Sequence, residues 1–205
     1  MQRCVIFGAA PVENYGRIEK YLRPDDYIIA CDGGLTHLEK LGLKADLITG
    51  DFDSHEKPDE GNIIVLPREK DDTDTFYAAK EALKRGFTDF LLTGMTGARI
   101  DHTLANLSLL MYLAEHGAKA LILDDWSEIS VISDGTFYVE DSFSYFSLIT
   151  PHEKTENVTI RNAKFPLTDG TIKDTYQYAV SNEVLPGKTA EISLKNGKLI
   201  LIKVF

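Results

Sequence analysis

The stretch "GDFDS" at residues 50–54 places two carboxylates, Asp51 and Asp53, one residue apart directly after the apolar run "DLIT". On an extended segment the side chains at i and i+2 share a face, roughly 7 Å apart, so both acids address one target. From Asp46 to Asp74 the chain holds seven aspartates, and those of "GDFDS" and "DDTD" (71–74) fall at adjacent strand ends that would be neighbours in space. At an effective dielectric constant near 20, two carboxylates ~5 Å apart repel by about 3 kcal/mol, so such a cluster calls for a cation. A set of carboxylates with no Cys and few His suits a hard ion, Mg²⁺ or Mn²⁺, shared with phosphate oxygens. An EF-hand is excluded, because counting from Asp51 the sixth loop position is Glu56 and the twelfth is Asn62. No HExxH is present. Taken singly, each acidic stretch also reads as loop and helix-cap chemistry.

"GMTGARIDH" (94–102) supplies the complementary half. Gly94 and Gly97 can expose backbone N–H groups at the start of the helix that follows, where the macrodipole also favours an anion. Arg99 adds a planar cationic fork for phosphate. The structural alternative is a glycine-rich turn with Asp101 as the helix cap. A Walker loop is absent, since the "GKT" at 187–189 has Asn182 where the upstream glycine belongs, and there is no GxGxxG.

Short apolar runs alternate with helical patterns up to about residue 125. The strand candidates are "RCVIFG", "DYIIAC", "DLITG", "NIIVLP", "DFLLTG" and "AKALILD". Between them, apolar residues recur at helical spacing: Leu35, Leu38, Leu41; Phe76, Ala79, Leu83; and Leu104, Leu107, Met111, Ala114. This rhythm predicts an α/β domain over 1–125 with a mainly parallel sheet, whose ligand site lies at the carboxyl ends of the strands. From 126 to 205 the β-rich runs "EISVIS", "TFYVE", "YFSLIT", "NVTIRNA", "YQYAVSN", "TAEISL" and "KLILIKVF" are punctuated by "SDG", "TDG", "LPGK" and "KNG". That punctuation predicts an all-β domain, an antiparallel sandwich or barrel.

Composition narrows the partners. The 205 residues are 43% hydrophobic, ample for packed cores, and a formal net charge of −10 argues against a broad grip on nucleic acid. A small ligand is the better expectation. Cys4 and Cys31 lie in apolar runs without metal spacing and read as reduced core residues. The opening "MQRCVIFGAAP" reads as a first strand rather than a signal peptide, and no run reaches the ~20 apolar residues of a membrane span. A cytoplasmic location is expected.

The ordered set "CDGG", "GDFDS", "KDDTD" and "GMTGARIDHTLAN", with "NAKFPL" and "YAVSNE" in the β-rich half, resembles the bacterial-type thiamine pyrophosphokinase family across essentially the whole chain. The resemblance implies an N-terminal domain that binds ATP and Mg²⁺, and a C-terminal β-sandwich that supplies much of a thiamine site. It further implies a homodimer with thiamine held at the subunit interface, and diphosphoryl transfer from ATP to the thiamine hydroxyl. By the same resemblance Asp51, Asp53, Asp71 and Asp74 are metal and catalytic candidates; Asp71 and Asp74, at i and i+3, share a face at a helix start. Asp32, Gly33 and Gly34 match a nucleotide contact, while Thr93, Gly94, Gly97, Arg99, Asp101 and His102 match the ATP-phosphate loop. Asp101 and Asp74 are also candidates to accept the hydroxyl proton. Ser181 and Asn182 match residues associated with thiamine, and Phe165 falls where animal enzymes carry Trp against the substrate ring. The alternatives are a metal-dependent nucleotide phosphohydrolase and a non-catalytic nucleotide sensor.

Overall fold

The computed structural model describes residues 2–52, 61–67, 69, 71–151 and 153–205. The chain divides into two compact units, Met1–Asp125 and Trp126–Phe205.

In the first unit the apolar runs become β1 (Cys4–Phe7), β2 (Tyr27–Cys31), β3 (Leu47–Gly50), β4 (Ile63–Val65), β5 (Asp89–Thr93) and β6 (Lys119–Leu123). Between them lie α1 (Tyr15–Tyr21), α2 (Leu35–Leu41), α3 (Asp74–Lys84) and α4 (Ile100–Glu115). The strands hydrogen-bond in the order β6-β5-β1-β2-β3-β4, each pair parallel. Parallel strands carrying helices on their faces are covered on both sides, and all of β1 is buried accordingly. The chain proceeds from β1 outward through β4, then returns to β1's other edge with β5. The strand order therefore reverses between β1 and β5, and a crevice opens there beyond the carboxyl ends.

Glycine lets the backbones crowd at that point. A Cβ on Gly34 would meet the Phe7 carbonyl oxygen at 2.1 Å, and one on Gly94, whose φ is +65°, would meet the Gly8 carbonyl oxygen at 2.5 Å. Gly8 N–H donates to Thr93 O (2.8 Å) and Ala10 N–H to Gly94 O (2.9 Å), so the loop after β1 is laced to the loop after β5.

Helix α4 departs from the expected stripe. Its buried residues are Asn106, Leu109, Leu110 and Leu113, while Leu104 is 58% exposed. With leucines on more than one face, spacing alone did not select the face that packs. Helix α1 has one buried residue, Ile18, and its polar sequence carried no clear apolar period.

The second unit contains β7 (Ser127–Glu140), β8 (Tyr145–Ile149), β9 (Lys154–Arg161), β10 (Leu167–Lys173) and β11 (Thr189–Val204). β11 pairs antiparallel with β7 along its length; its first part also pairs with β9 and its last part with β8. Phe146, Leu148, Val158, Ile160, Ile192 and Leu201 form part of its buried core. The expected reversals at "SDG" and "KNG" are corrected: both lie inside long strands, facing each other where the β7–β11 register shifts between Leu194 and Lys198. The turn-forming residues serve a bulge instead, with Asn196 at φ +58° and Gly197 N–H donating to Asp134 Oδ1 at 3.3 Å. "TDG" likewise lies within β10, and "YQYAVSN" forms isolated bridges rather than a strand.

Candidate active site

A cavity of about 430 Å³ occupies the crevice where the strand order reverses. The loops after β1, β2, β3 and β5 reach it through Ala9, Ala10 and Pro11, through Asp32, through Asp51, and through Gly94, Met95, Gly97, Ala98 and Arg99 respectively. The starts of α3 and α4 add Thr73, Asp74 and Thr75, then His102 and Asn106.

The acidic wall is made by Asp32, Asp51 and Asp74. Asp32 follows β2 at φ +32° and is 8% exposed, an unfavourable conformation and a buried acid at one position. Gly50 lies against it, since a Cβ there would meet the Asp32 Cβ at 3.1 Å. Asp74 opens α3, capped by Thr73, whose Oγ1 accepts from Phe76 N–H at 3.3 Å. Asp71 is exposed and does not line the cavity. Asp72 turns along α3 to pair with Lys80 Nζ at 2.9 Å, and that bond raises the pKa of Lys80. Asp53 lies outside the described residues. Among the described residues no three carboxylate, imidazole or thiol groups stand close enough to hold a metal ion by themselves.

The opposite wall is the segment 94–102. Gly97, at φ +97° in open space, donates its N–H to Thr103 Oγ1 at 3.2 Å. Arg99 precedes α4 and Asp101 lies in its first turn, so Asp101 is not the cap. Arg99 grips Asp101 through two contacts, Nε at 3.2 Å and Nη2 at 2.5 Å. The Arg99 hydrogen bond holds the Asp101 carboxyl down at about 2, helped by donation from His102 N–H. Arg99 and His102 line the cavity; Asp101 does not. Thr93 is wholly buried at the end of β5, and Gly33 lines an adjoining cavity with Tyr15, Thr36, His37 and Lys40.

Sequence reasoning missed the Ala9–Pro11 loop, Asn106 and His37. His37 Nε2 meets Ala10 O at 2.9 Å and its Nδ1 meets Tyr15 Oη at 2.8 Å, which ties α2 to the loop after β1. Burial lowers its pKa. A lone histidine in a helical pattern carries no signal of this kind until the neighbouring loop is placed.

In the second unit Phe165 is 59% exposed and Ser181, also exposed, sits at φ +56°. Asn182 is 3% exposed, and its side chain is spent on Phe165: Oδ1 accepts from Phe165 N–H at 3.0 Å and Nδ2 donates to Phe165 O at 2.8 Å.

The family model described as thiamin pyrophosphokinase, catalytic domain, matches residues 18–122, and that of the thiamin pyrophosphokinase vitamin B1 binding domain matches 136–199. The chain is 28% identical over 184 residues to the thiamine pyrophosphokinase of Bacillus subtilis, covering 85% of this chain and 86% of that one. The solved structure of a Bacillus subtilis thiamine pyrophosphokinase superposes with a TM-score of 0.88 at 24% identity, covering 100% of this chain and 99% of the other; that likeness speaks for the fold. A thiamin pyrophosphokinase family protein from Enterococcus faecalis superposes at 0.79 with 29% identity over 100% and 99% of the two chains.

Proposed function

This chain belongs to the thiamin pyrophosphokinase family, and from that premise we propose that it transfers the diphosphoryl group of ATP to the hydroxyl of thiamine, giving thiamine diphosphate and AMP. The observation that carries the reading is the cavity at the strand-order reversal, with Asp32, Asp51 and Asp74 on one wall and Gly94, Gly97 and Arg99 on the other. Acids on one side and anion-binding groups on the other suit a metal-bound polyphosphate.

The thiamine hydroxyl oxygen attacks the β-phosphorus, the bond from that phosphorus to the α–β bridging oxygen breaks, and AMP leaves with the bond's electron pair. Such a transfer asks for in-line positioning and charge neutralisation. Mg²⁺ is held by one or two carboxylates together with substrate phosphates rather than by a closed protein cage, and the all-oxygen donors Asp32, Asp51 and Asp74 fit that demand. Asp51 and Asp74, with Asp32 beside them, would hold the ion, and Asp53 is a further candidate, whereas Asp71 stands outside the cavity; when bound the ion neutralises phosphate charge. Gly94, Arg99 and His102 orient the phosphates, Gly97 gives the loop its turn while its own N–H goes to Thr103 Oγ1, and Arg99 shares the charge that develops on AMP. Asp74 is the better placed of the two candidates to receive the hydroxyl proton, because it lines the cavity and Asp101 does not.

The first unit is assigned to ATP and the second, read as a β-sandwich, to thiamine, in a homodimer whose thiamine site lies at the subunit interface. Phe165, 59% exposed, offers its ring to the cationic thiazolium or the pyrimidine on the side away from Lys164 Nζ, which stands 5.7 Å from the ring centre; Asn182 holds the Phe165 backbone, and Ser181 precedes Asn182 in the chain. The reading includes a cytoplasmic location, a compartment that keeps buried thiols such as Cys4 and Cys31 reduced.

The test is incubation of the purified protein with ATP, Mg²⁺ and thiamine, with nucleotides and thiamine species resolved by chromatography. AMP and thiamine diphosphate are expected in the complete mixture and not without thiamine. Release of ADP or phosphate irrespective of thiamine would favour a phosphohydrolase instead.

A further inference from the structure

Asn106 lies in the second turn of α4, 6% exposed, on the stripe it shares with Leu109, Leu110 and Leu113. A leucine would bury more apolar surface there, and a buried amide is costly unless its donors and acceptors are met. They are met across the cavity. Asn106 Nδ2 donates to Met95 O at 2.7 Å, and its Oδ1 accepts from Thr75 Oγ1 at 2.8 Å. Thr75 Oγ1 lies 3.2 Å from Thr73 Oγ1, which accepts from Phe76 N–H.

The chain of donors runs one way. Because the Thr75 hydroxyl hydrogen goes to Asn106, Thr73 must supply the hydrogen between the two hydroxyls. A flipped Asn106 amide would set its oxygen against the Met95 carbonyl oxygen, so its orientation is dictated. The result is a continuous line from the first turn of α3, through three side chains, to the loop after β5. Its ends are the two segments that carry Asp74 and Gly94 to Arg99.

We propose that Asn106 is a positioning residue for diphosphoryl transfer. Its amide locks the acidic start of α3 to the glycine loop, so the groups addressing the metal-bound and the anion-bound sides of one polyphosphate keep a fixed separation. The inference rests on the transfer reading above.

Kinetics of Asn106→Leu, Thr75→Val, Thr75→Ser and the Thr75→Val/Asn106→Leu double variant test it, at a temperature where each is folded. A misplacement of about 1 Å can cost roughly 100-fold in rate, so Asn106→Leu should lose kcat on that order while the thiamine KM stays near the wild-type value. Thr75→Val should lose in the same direction, and Thr75→Ser, which keeps the hydroxyl, should recover most of that loss. Because both variants cut one line, the double should be no worse than Asn106→Leu alone. Wild-type kcat in folded Asn106→Leu, or losses that multiply in the double, would overturn the proposal; should Asn106→Leu fail to fold, the contrast between Thr75→Val and Thr75→Ser decides alone.

Hydrogen exchange reads the same link without turnover. Each of Thr75→Val and Asn106→Leu should speed exchange in both 73–77 and 94–99, whereas faster exchange only beside the substituted residue would sink the link. If the wild-type protein makes no thiamine diphosphate, the functional reading fails and the exchange result still decides whether Asn106 couples the two walls.

Discussion

At the residue scale the cavity wall sets three acids, Asp32, Asp51 and Asp74, close to one another, and the proposed metal ion would relieve their repulsion. Asp74 lines the cavity as the first residue of α3, and Asn keeps its size and shape. Asp74→Asn should cut turnover at least about 100-fold, the scale expected when an electrostatic catalytic group is lost. Its melting temperature should stay near that of the wild type, and near-normal turnover would remove Asp74 from the metal site. Asp101 offers a test that needs no substrate. Its carboxyl is held at about 2 chiefly by Arg99, so Arg99→Ala should move its titration upward, towards the ordinary 3.8, followed by NMR. The depressed value means that this pair favours the fold above the ordinary carboxylate pKa and loses its effect as pH falls toward 2. The pair is open to solvent, so screening keeps its weight small. An unmoved titration in the variant would dissociate the two groups.

At the element scale the loop after β1 depends on α2. His37 is buried between Ala10 and Tyr15, with Lys40 lowering and Asp125 raising its affinity for a proton, and burial dominates. A folded-state pKa below the ordinary 6.5 means that the unfolded chain takes up protons first as pH falls. The stabilisation is therefore complete above pH 6.5 and is lost progressively as pH drops below it. Melting temperature followed from pH 8 to pH 5 should fall more steeply in the wild type than in His37→Gln, and parallel curves would contradict this. Turn chemistry was less informative at this scale. "SDG" and "KNG" have the composition of hairpin turns, but the same residues also build bulges, and only the pairing of β7 with β11 shows which use applies. Leu104 is a similar case, since helical spacing ranks it with the core while the buried face of α4 runs through Asn106 and Leu109.

At the scale of the whole molecule, the proposed sharing of thiamine between subunits makes affinity depend on protein concentration. Dilution to a verified monomer should abolish thiamine binding before ATP binding, measured by titration at fixed ligand excess; retained thiamine affinity in the monomer would end the shared-site reading. Part of the cavity lining was legible beforehand: Asp32, Asp51, Asp74, Gly94, Gly97, Arg99 and His102 were expected from residue type and loop position and line it, whereas Asp71, Asp101, Thr93, Gly33 and Gly34 were expected and do not. Ala9, Ala10 and Pro11 were not legible, because small apolar residues bear no chemical signature. They matter only because β5 returns to the free edge of β1, which brings the loop after residue 7 against the loop after residue 93. Asn106 was hidden for a related reason, as its partners Thr75 and Met95 are 31 and 11 residues away. The sequence by itself determined which acids and glycines would be candidates for the cavity wall, since charge and backbone freedom are properties of residues. Only the tertiary structure decided which segments face each other across the cavity, because strand order is set by long-range burial that no local pattern encodes.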